Sequence, residues 1–304
     1  MTAATYPGPE TIHRHVLDNG ITVLIYENMS SNTVAIEGVV RAGAIAEPAA
    51  QAGLADFTAD LLIRGASRWT FEGIAEALES VGAGVSFGGS RHTTGFSTYS
   101  LVEDLDLVLD IAADALCRPT FPAEHVERVR GQTVTGLQMR ANDPRSMARL
   151  TFFETAYGDH PYGRSVSGYE TTVAGLGRDD VRDFHAHYYG PQEMIIGLVG
   201  AIQADEALRK LTAVFGCWRN DAQQPIQFAP EAPRPAGLVR RAFAMPDKHQ
   251  VDVALGLPGP RRAAPDYLDA SLMNTILGVF GMMGRIGHNV REEQGLAYYA
   301  SSRL

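Results

Sequence analysis

The sequence predicts an α+β fold in which an antiparallel sheet and helices pack as a sandwich. Strand patterns come in hairpin pairs: residues 13–17 and 21–26 flank Asp18-Asn19-Gly20, and Asn-Gly between two such runs favours a type I′ turn. Helical patterns follow in groups, and the apolar residues of segment 103–117 recur at helical spacing, which indicates one buried face. Strands and helices that occur in separate groups are typical of α+β proteins.

The other elements follow in chain order. The helix that begins at 103 ends before Pro119, because proline does not continue a helix. The apolar run that starts at Met194 is short enough to be a buried strand. Further strands are predicted at 33–41, 85–87, 93–101 and 194–199, and helices at 54–63, 71–81, 103–117, 122–141, 144–157, 179–189 and 204–215.

A chain of 304 residues is long for a single hydrophobic core and suggests two domains. Segment 220–237 contains four prolines among polar residues and is typical of a linker. We therefore predict a first domain at 1–219, a proline-rich linker at 220–237 and a second domain at 238–304.

The second domain begins like the first. A strand pattern at 251–257, a loop at 258–265 and a helical pattern at 267–277 repeat the order found at 35–40, 41–48 and 54–63. The repeat stops after roughly 70 residues, which is too short for a complete sheet with its covering helices. Either the gene product is longer, or another chain completes the second core.

Composition argues against two classes of partner. The chain has 26 basic and 35 acidic side chains and a net charge of −9, which disfavours binding to nucleic acid or to an anionic membrane. No apolar run approaches the roughly 20 residues that a membrane helix needs, and residues 1–9 do not resemble a secretory signal. Cys117 and Cys217 stand alone, as in a reduced cytoplasmic protein.

Several runs resemble one protein family. Arg41-Ala-Gly-Ala-Ile-Ala-Glu47-Pro48 and the segment 53–65 are similar to the signature of the pitrilysin, insulinase and mitochondrial processing peptidase family, whose active members are metallopeptidases with an inverted zinc motif. The resemblance implies an insulinase-like sandwich built from two related repeats, of which the second is incomplete here. Further landmarks occur in the same order: Arg118-Pro-Thr-Phe121, Asp143-Pro144, 158–163, Gly168, Tyr188-Tyr189, Val199-Gly200 and 291–298.

The resemblance also identifies the positions where zinc chemistry is missing. Active members carry His-x-x-Glu-His on the helix at 54–63, with the glutamate activating a zinc-bound water. Here Asp56 and Asp60 replace the two histidines, Ala59 replaces the glutamate, and Gly136 falls at the third ligand. The two aspartates, with His92 nearby, could offer oxygens to a cation, but the simpler interpretation is a solvated helix face. We therefore expect no metal in this chain.

A second set of positions is intact. The resemblance implies that Arg291 and Tyr298 stabilise the substrate carbonyl, whose oxygen gains negative charge in the transition state. The structural alternative is that Arg291 only pairs with Glu292 or Glu293 and that Tyr298 only fills a strand face. Tyr299 is a competing hydroxyl, which strand alternation would turn to the other side.

The resemblance implies a function in a complex. Some bacterial members consist of two chains, one with the zinc motif and one that keeps only the arginine and tyrosine, and this sequence resembles the second kind. It would supply Arg291, Tyr298 and a chamber wall to a zinc-bearing homologous subunit that hydrolyses peptides. The alternative is an inactive member that acts as a scaffold or binds peptides. In the family, the strand near 82–88 is an edge to which substrate adds by β-augmentation.

Overall fold

The computed structural model describes residues 6–227, 231–232 and 234–304. The chain divides into two compact units, one formed by Met1–Ala232 with Val239–Ala254 and the other by Pro233–Leu238 with Leu255–Leu304. Two prolines of the predicted linker, Pro230 and Pro233, lie outside the described residues. The predicted domain boundaries at 219 and 237 stay a prediction.

The first unit is built on a six-stranded sheet with the order β1-β2-β6-β3-β5-β4. The predicted hairpin is confirmed: β1 and β2 are antiparallel, with His13 opposite Ile25 and Val16 opposite Thr22. The predicted type I′ turn is wrong, because it needs a positive φ at both Asn19 and Gly20 and only Gly20 has one, at 92°. The Gly20 N–H instead donates to the Leu17 carbonyl at 2.8 Å, so the turn spans 17–20. The strands are β1 (His13–Val16), β2 (Thr22–Glu27), β3 (Thr33–Val40), β4 (Gly84–Gly89), β5 (Thr94–Leu101) and β6 (Ile195–Gly200).

The α+β class is confirmed, but the sheet is mixed rather than antiparallel throughout. Strand β6 lies between β2 and β3, antiparallel to β3 and parallel to β2. A hairpin turn forces its strands to be antiparallel, whereas a strand that returns after a long helical segment can pair in either direction. Strand β6 returns after such a segment, so no turn in the sequence fixes its direction.

Helices cover one face of this sheet. Two helices begin with a capping side chain. The Thr70 side chain accepts a hydrogen bond from the Gly73 N–H at the start of α2. At the start of α5, the Asp143 side chain accepts one from the Ser146 N–H, and Pro144 is the first residue of the helix. The short helix α6 was not predicted, because five residues carry little periodic signal. The helices are α1 (Leu54–Leu62), α2 (Phe71–Val81), α3 (Leu105–Cys117), α4 (Ala123–Ala141), α5 (Pro144–Tyr157), α6 (Glu170–Ala174), α7 (Arg178–Tyr188) and α8 (Ala204–Phe215).

The core lies between the helices and the buried face of the sheet. Strand β3 alternates strictly, with Val34 and Ile36 buried and their neighbours exposed. Helix α1 lies deep in this layer: Phe57 and Leu61 are almost completely buried, and the helix packs against β4, α4 and α7. None of the described helices combines the length and apolarity required to cross a membrane.

The second unit contains helix α9 (Tyr267–Gly278), as predicted, followed by a helical segment that is interrupted at 281–284 and by a turn of π-helix at His288–Glu293. The predicted strand at 251–257 is wrong. Its alternate residues Val251 and Leu255 are more than 80% exposed, and the segment pairs with no strand among the described residues. A strand needs a neighbour for its backbone N–H and C=O groups, and alternation alone does not provide one.

The backbone at Gly168 packs closely against Ala52, just before α1. Its φ is +72°, and a Cβ placed there would lie 2.2 Å from the Ala52 carbonyl oxygen. Gly82 has a similar φ of +65° but open space around it. We therefore expect Gly168→Ala to lower the free energy of unfolding by roughly 3 kcal/mol and Gly82→Ala by about 1 kcal/mol, measured by urea denaturation. Equal losses in the two variants would show that this contact does not constrain the fold.

Candidate functional site

A buried carboxylate fixes the start of helix α1. Glu47 is 3% exposed, and its two oxygens accept hydrogen bonds from the backbone N–H groups of Gly53 and Ala55, each at 2.9 Å. Burial raises the pKa of Glu47 to about 7, although the two hydrogen bonds and the charge of Arg164 oppose this shift. Glu47 therefore anchors the helix that carries the altered motif.

Asp56, at the position of the first zinc histidine, is held in a network. Its Oδ2 accepts a hydrogen bond from the Ser167 hydroxyl at 2.8 Å, and a Cβ placed on Gly89 of β4 would lie 3.0 Å from its Oδ1. Burial raises the pKa of Asp56, and the hydrogen bond from Ser167 counteracts this shift. Asp56 is thus half-buried, and its carboxylate joins α1 to the segment around Ser167.

Asp60 lies one turn further along α1 and is exposed. Nearby protein still removes part of the hydration of its carboxylate. This desolvation and the like charge of Asp56 raise the pKa of Asp60 to about 6, and Arg64 opposes the shift. His92, considered as a further cation ligand, is instead engaged with Tyr162, with 2.7 Å between Nε2 and the hydroxyl oxygen.

The residues at the motif positions do not fit zinc. Ala59 is fully buried and has no donor atom, and Gly136 in α4 has no side chain. The Asp56 carboxylate already accepts a hydrogen bond from Ser167, and Asp60 is exposed. These two carboxylates are fewer ligands than the three or four that zinc takes from a protein. Within the described part of the chain, no three His, Cys, Asp or Glu side chains form a group that could hold a metal.

Strand β4 is an edge of the sheet, as the resemblance implied. The Ser90 N–H donates to the Thr93 carbonyl, and in an antiparallel pair such hydrogen-bonded positions alternate. The backbone groups of Val85, Phe87 and Gly89 therefore point away from β5, toward the free side. A peptide strand could pair with this side, as in β-augmentation.

The second unit brings Arg291 and Tyr298 together. The guanidinium carbon of Arg291 lies 5.2 Å from the centre of the Tyr298 ring, within the range of a cation–π contact. Tyr298 is 82% exposed, so its hydroxyl is available in this unit. Arg291 Nε also lies 3.4 Å from an oxygen of Glu292, which is the ion pair considered in the structural alternative.

Two residues of the site were not assigned a role from sequence. Glu47 belongs to a matched run, but the sequence does not show that its carboxylate turns back onto the start of α1. Ser167 lies 111 positions from Asp56, and no spacing rule connects residues so far apart. The close approach of Gly168 to Ala52 and Gly53, together with the hydrogen bond from the Thr172 hydroxyl to the Ala52 carbonyl, brings the two segments together.

The fold and the altered motif define the class of protein. The model of the insulinase family, peptidase family M16, matches residues 22–170, and the model described as the peptidase M16 inactive domain matches residues 175–304. The chain therefore belongs to the insulinase family.

Individual relatives agree with this class. The chain is 29% identical to an uncharacterized zinc protease of Mycobacterium leprae, covering 96% of this chain and 65% of that protein. It is 28% identical to a probable mitochondrial-processing peptidase subunit beta of Schizosaccharomyces pombe, covering 95% and 61%. The fold matches the crystal structure of a peptidase M16 inactive domain from Pseudomonas fluorescens, with a TM-score of 0.81, 24% identity and coverage of 95% and 69%. The chain spans less than two thirds of the length of these curated relatives.

The raised pKa of Glu47 makes stability depend on pH. Its pKa is about 7 in the folded protein and near 4.5 in an ordinary setting, so the folded state binds more protons than the unfolded chain between these values. The free energy of unfolding should therefore fall by up to roughly 3 kcal/mol from this group as pH rises through that window. Urea denaturation at several pH values measures it, with Glu47→Gln as the control that lacks the contribution. Parallel pH profiles for the two proteins would contradict the assignment.

The donor set also makes a prediction about metal content. We expect the purified chain, dialysed without chelator, to hold far less than one zinc per chain, because Asp56 is already hydrogen-bonded and Ala59 and Gly136 offer no ligand atom. Elemental analysis by mass spectrometry measures this, with the dialysis buffer as the blank. A content of about one zinc per chain would contradict the expectation.

Proposed function

We propose that this chain is the non-zinc subunit of a heteromeric insulinase-family peptidase. It supplies Arg291, Tyr298 and one wall of a peptide-holding chamber to a homologous subunit that carries the zinc. The observation that carries the proposal is the contact of Arg291 with Tyr298, 5.2 Å from guanidinium carbon to ring centre, in a chain whose motif positions hold no set of zinc ligands.

The chemistry of the pair supports this role. Peptide hydrolysis places negative charge on the carbonyl oxygen in the transition state, and a guanidinium with a phenol hydroxyl provides donors for that charge. The contact with the ring limits the motion of the guanidinium, so less conformational entropy has to be lost when substrate binds. Zinc in the partner subunit would supply the activated water. The residues of this chain would bind the carbonyl oxygen and exclude water around it.

The second candidate is a scaffold or a peptide-binding protein without a part in catalysis. The 3.4 Å contact of Arg291 with Glu292 favours this second candidate. An arginine that only forms an ion pair has a structural role and does not take part in binding substrate. The subunit hypothesis is also supported by one relative, which is described as a subunit of a processing peptidase.

The cytoplasmic location inferred from the isolated cysteines stays a prediction, as does the absence of nucleic-acid and membrane partners.

Single substitutions in this chain test the role in catalysis. In the complex reconstituted with the zinc-bearing subunit, we expect Arg291→Ala and Tyr298→Phe each to lower turnover by about 10²–10³, with a smaller effect on KM. The reason is that both side chains would interact with charge that develops only in the transition state. Steady-state peptide hydrolysis measures turnover, and gel filtration shows that the two subunits still associate.

Two matched controls separate catalysis from structure. Glu292→Gln removes the ion pair but keeps Arg291, so it should leave turnover within about threefold of the wild type. Tyr299→Phe removes the neighbouring hydroxyl and should have a similarly small effect. Near-normal turnover in both Arg291→Ala and Tyr298→Phe would contradict the catalytic role and favour the scaffold function instead.

A further inference from the structure

Three neighbouring groups hold the guanidinium of Arg291. Its carbon lies 5.2 Å from the centre of the Tyr298 ring, and Nε lies 3.4 Å from an oxygen of Glu292. Nη1 donates a hydrogen bond to the sulfur of Met282, with 3.6 Å between the two atoms. The ring contacts the guanidinium as a whole, whereas the two acceptors engage different nitrogen atoms, so together they restrict its rotation.

These contacts leave one end of the guanidinium for substrate. Arginine has five N–H donors, one on Nε and two on each terminal nitrogen. Glu292 engages Nε and Met282 engages Nη1, whereas Nη2 has no acceptor among the residues that the structure describes. Nη2 is therefore the terminal nitrogen with both of its N–H donors free for a carbonyl oxygen.

Methionine is suited to orient a guanidinium without reducing its charge. A thioether sulfur is a weak, uncharged acceptor, so it can hold an N–H donor and leave the positive charge uncompensated. A carboxylate in the same place would compensate that charge and weaken its attraction for a developing oxyanion. Met282 is also 64% exposed, so burial in an apolar core does not account for its position.

The segment that presents Met282 is itself fixed. A Cβ placed on Gly287 would lie 2.4 Å from the Met282 carbonyl oxygen and 2.6 Å from the Met283 Cβ, so the backbone packs closely there. The Met283 sulfur accepts a hydrogen bond from the Ala300 N–H at 3.3 Å, two residues after Tyr298. The segment that carries Met282 is thus tied to the segment that carries the tyrosine.

We infer that Met282 is a positioning residue for Arg291, whose sulfur turns the guanidinium so that Nη2 can donate to the substrate carbonyl oxygen. The inference rests on the proposed function, since it assumes that Arg291 acts on substrate in the complex. It deepens that function by adding a residue outside the pair of Arg291 and Tyr298. Because Met282 acts through Arg291, its loss should lower turnover and have little effect on KM.

Steady-state peptide hydrolysis by the complex with the zinc-bearing subunit tests the inference. Met282→Leu keeps the approximate size of the side chain but removes the acceptor, so turnover should fall about fivefold while KM changes by less than about twofold. Met282→Gln restores an uncharged acceptor and should retain at least half of the wild-type turnover. Met273→Leu, in α9 and 55% exposed, is the matched control and should have no effect.

A double-substitution cycle shows whether Met282 acts through Arg291. In the Arg291→Ala background, Met282→Leu should cause no further loss of turnover, because the sulfur has no guanidinium to hold. Equal losses in the wild-type and Arg291→Ala backgrounds would overturn the positioning role.

NMR of the full chain alone gives a readout that does not depend on catalysis. The Nε–H signal of Arg291 should shift in Met282→Leu, because the guanidinium loses an acceptor and changes its orientation. The same signal should stay in place in Met273→Leu. A signal that is unchanged in Met282→Leu would contradict the inference.

The outcomes separate this inference from the proposed function. Normal turnover in Arg291→Ala would remove the proposed function, and the inference with it. Reduced turnover in Arg291→Ala together with normal turnover in Met282→Leu would overturn the inference alone. A Met282→Gln variant as slow as Met282→Leu would also overturn it, because the acceptor would then not be the feature that matters.

Discussion

The hydrogen bonds of the buried Glu47 carboxylate to the first turn of α1 are the interaction on which the site depends. Four backbone N–H groups at a helix start have no partner within the helix, and an anion near them is favoured by the helix dipole. Glu47 satisfies those of Gly53 and Ala55 from inside the protein. Without this anchor, Asp56 and the residues that follow it would have no fixed relation to the edge strand.

Loss of the zinc ligands does not leave a gap in the structure. Asp56 occupies the first histidine position and accepts a hydrogen bond from Ser167, so a position that binds metal in active members here connects α1 to a distant segment of the chain. Ala59 is fully buried, and a charged glutamate there would need a partner such as a metal-bound water. A zinc site could therefore not be rebuilt by the two histidines alone.

Much of the fold could be predicted because local signals agree with it. The Asn-Gly turn determined the β1–β2 hairpin, and the boundaries of α2, α5 and α8 were predicted to the residue. The parallel pairing of β6 with β2 could not be predicted, since no turn fixes the direction of a strand that returns from a distance. The strand predicted at 251–257 failed for a related reason: its alternation requires a neighbouring strand that the described residues do not supply.

The site was predictable only in part. The resemblance located Asp56, Asp60, Arg291 and Tyr298, because they lie in runs that keep their spacing. It did not reveal the hydrogen bond from Ser167 to Asp56, which depends on a glycine contact between segments far apart in the sequence. Periodicity describes which face of an element is buried, but the partner of a polar side chain is decided by tertiary packing.

The subunit hypothesis is tested most directly by titrating this chain into a zinc-bearing homologous subunit while peptide hydrolysis is measured. The expected result is a rate that rises until the two chains are equimolar and then stays constant, with about one zinc per pair and no activity from this chain alone. A rate that is unchanged by addition of this chain, or hydrolysis by this chain alone with zinc bound to it, would contradict the hypothesis.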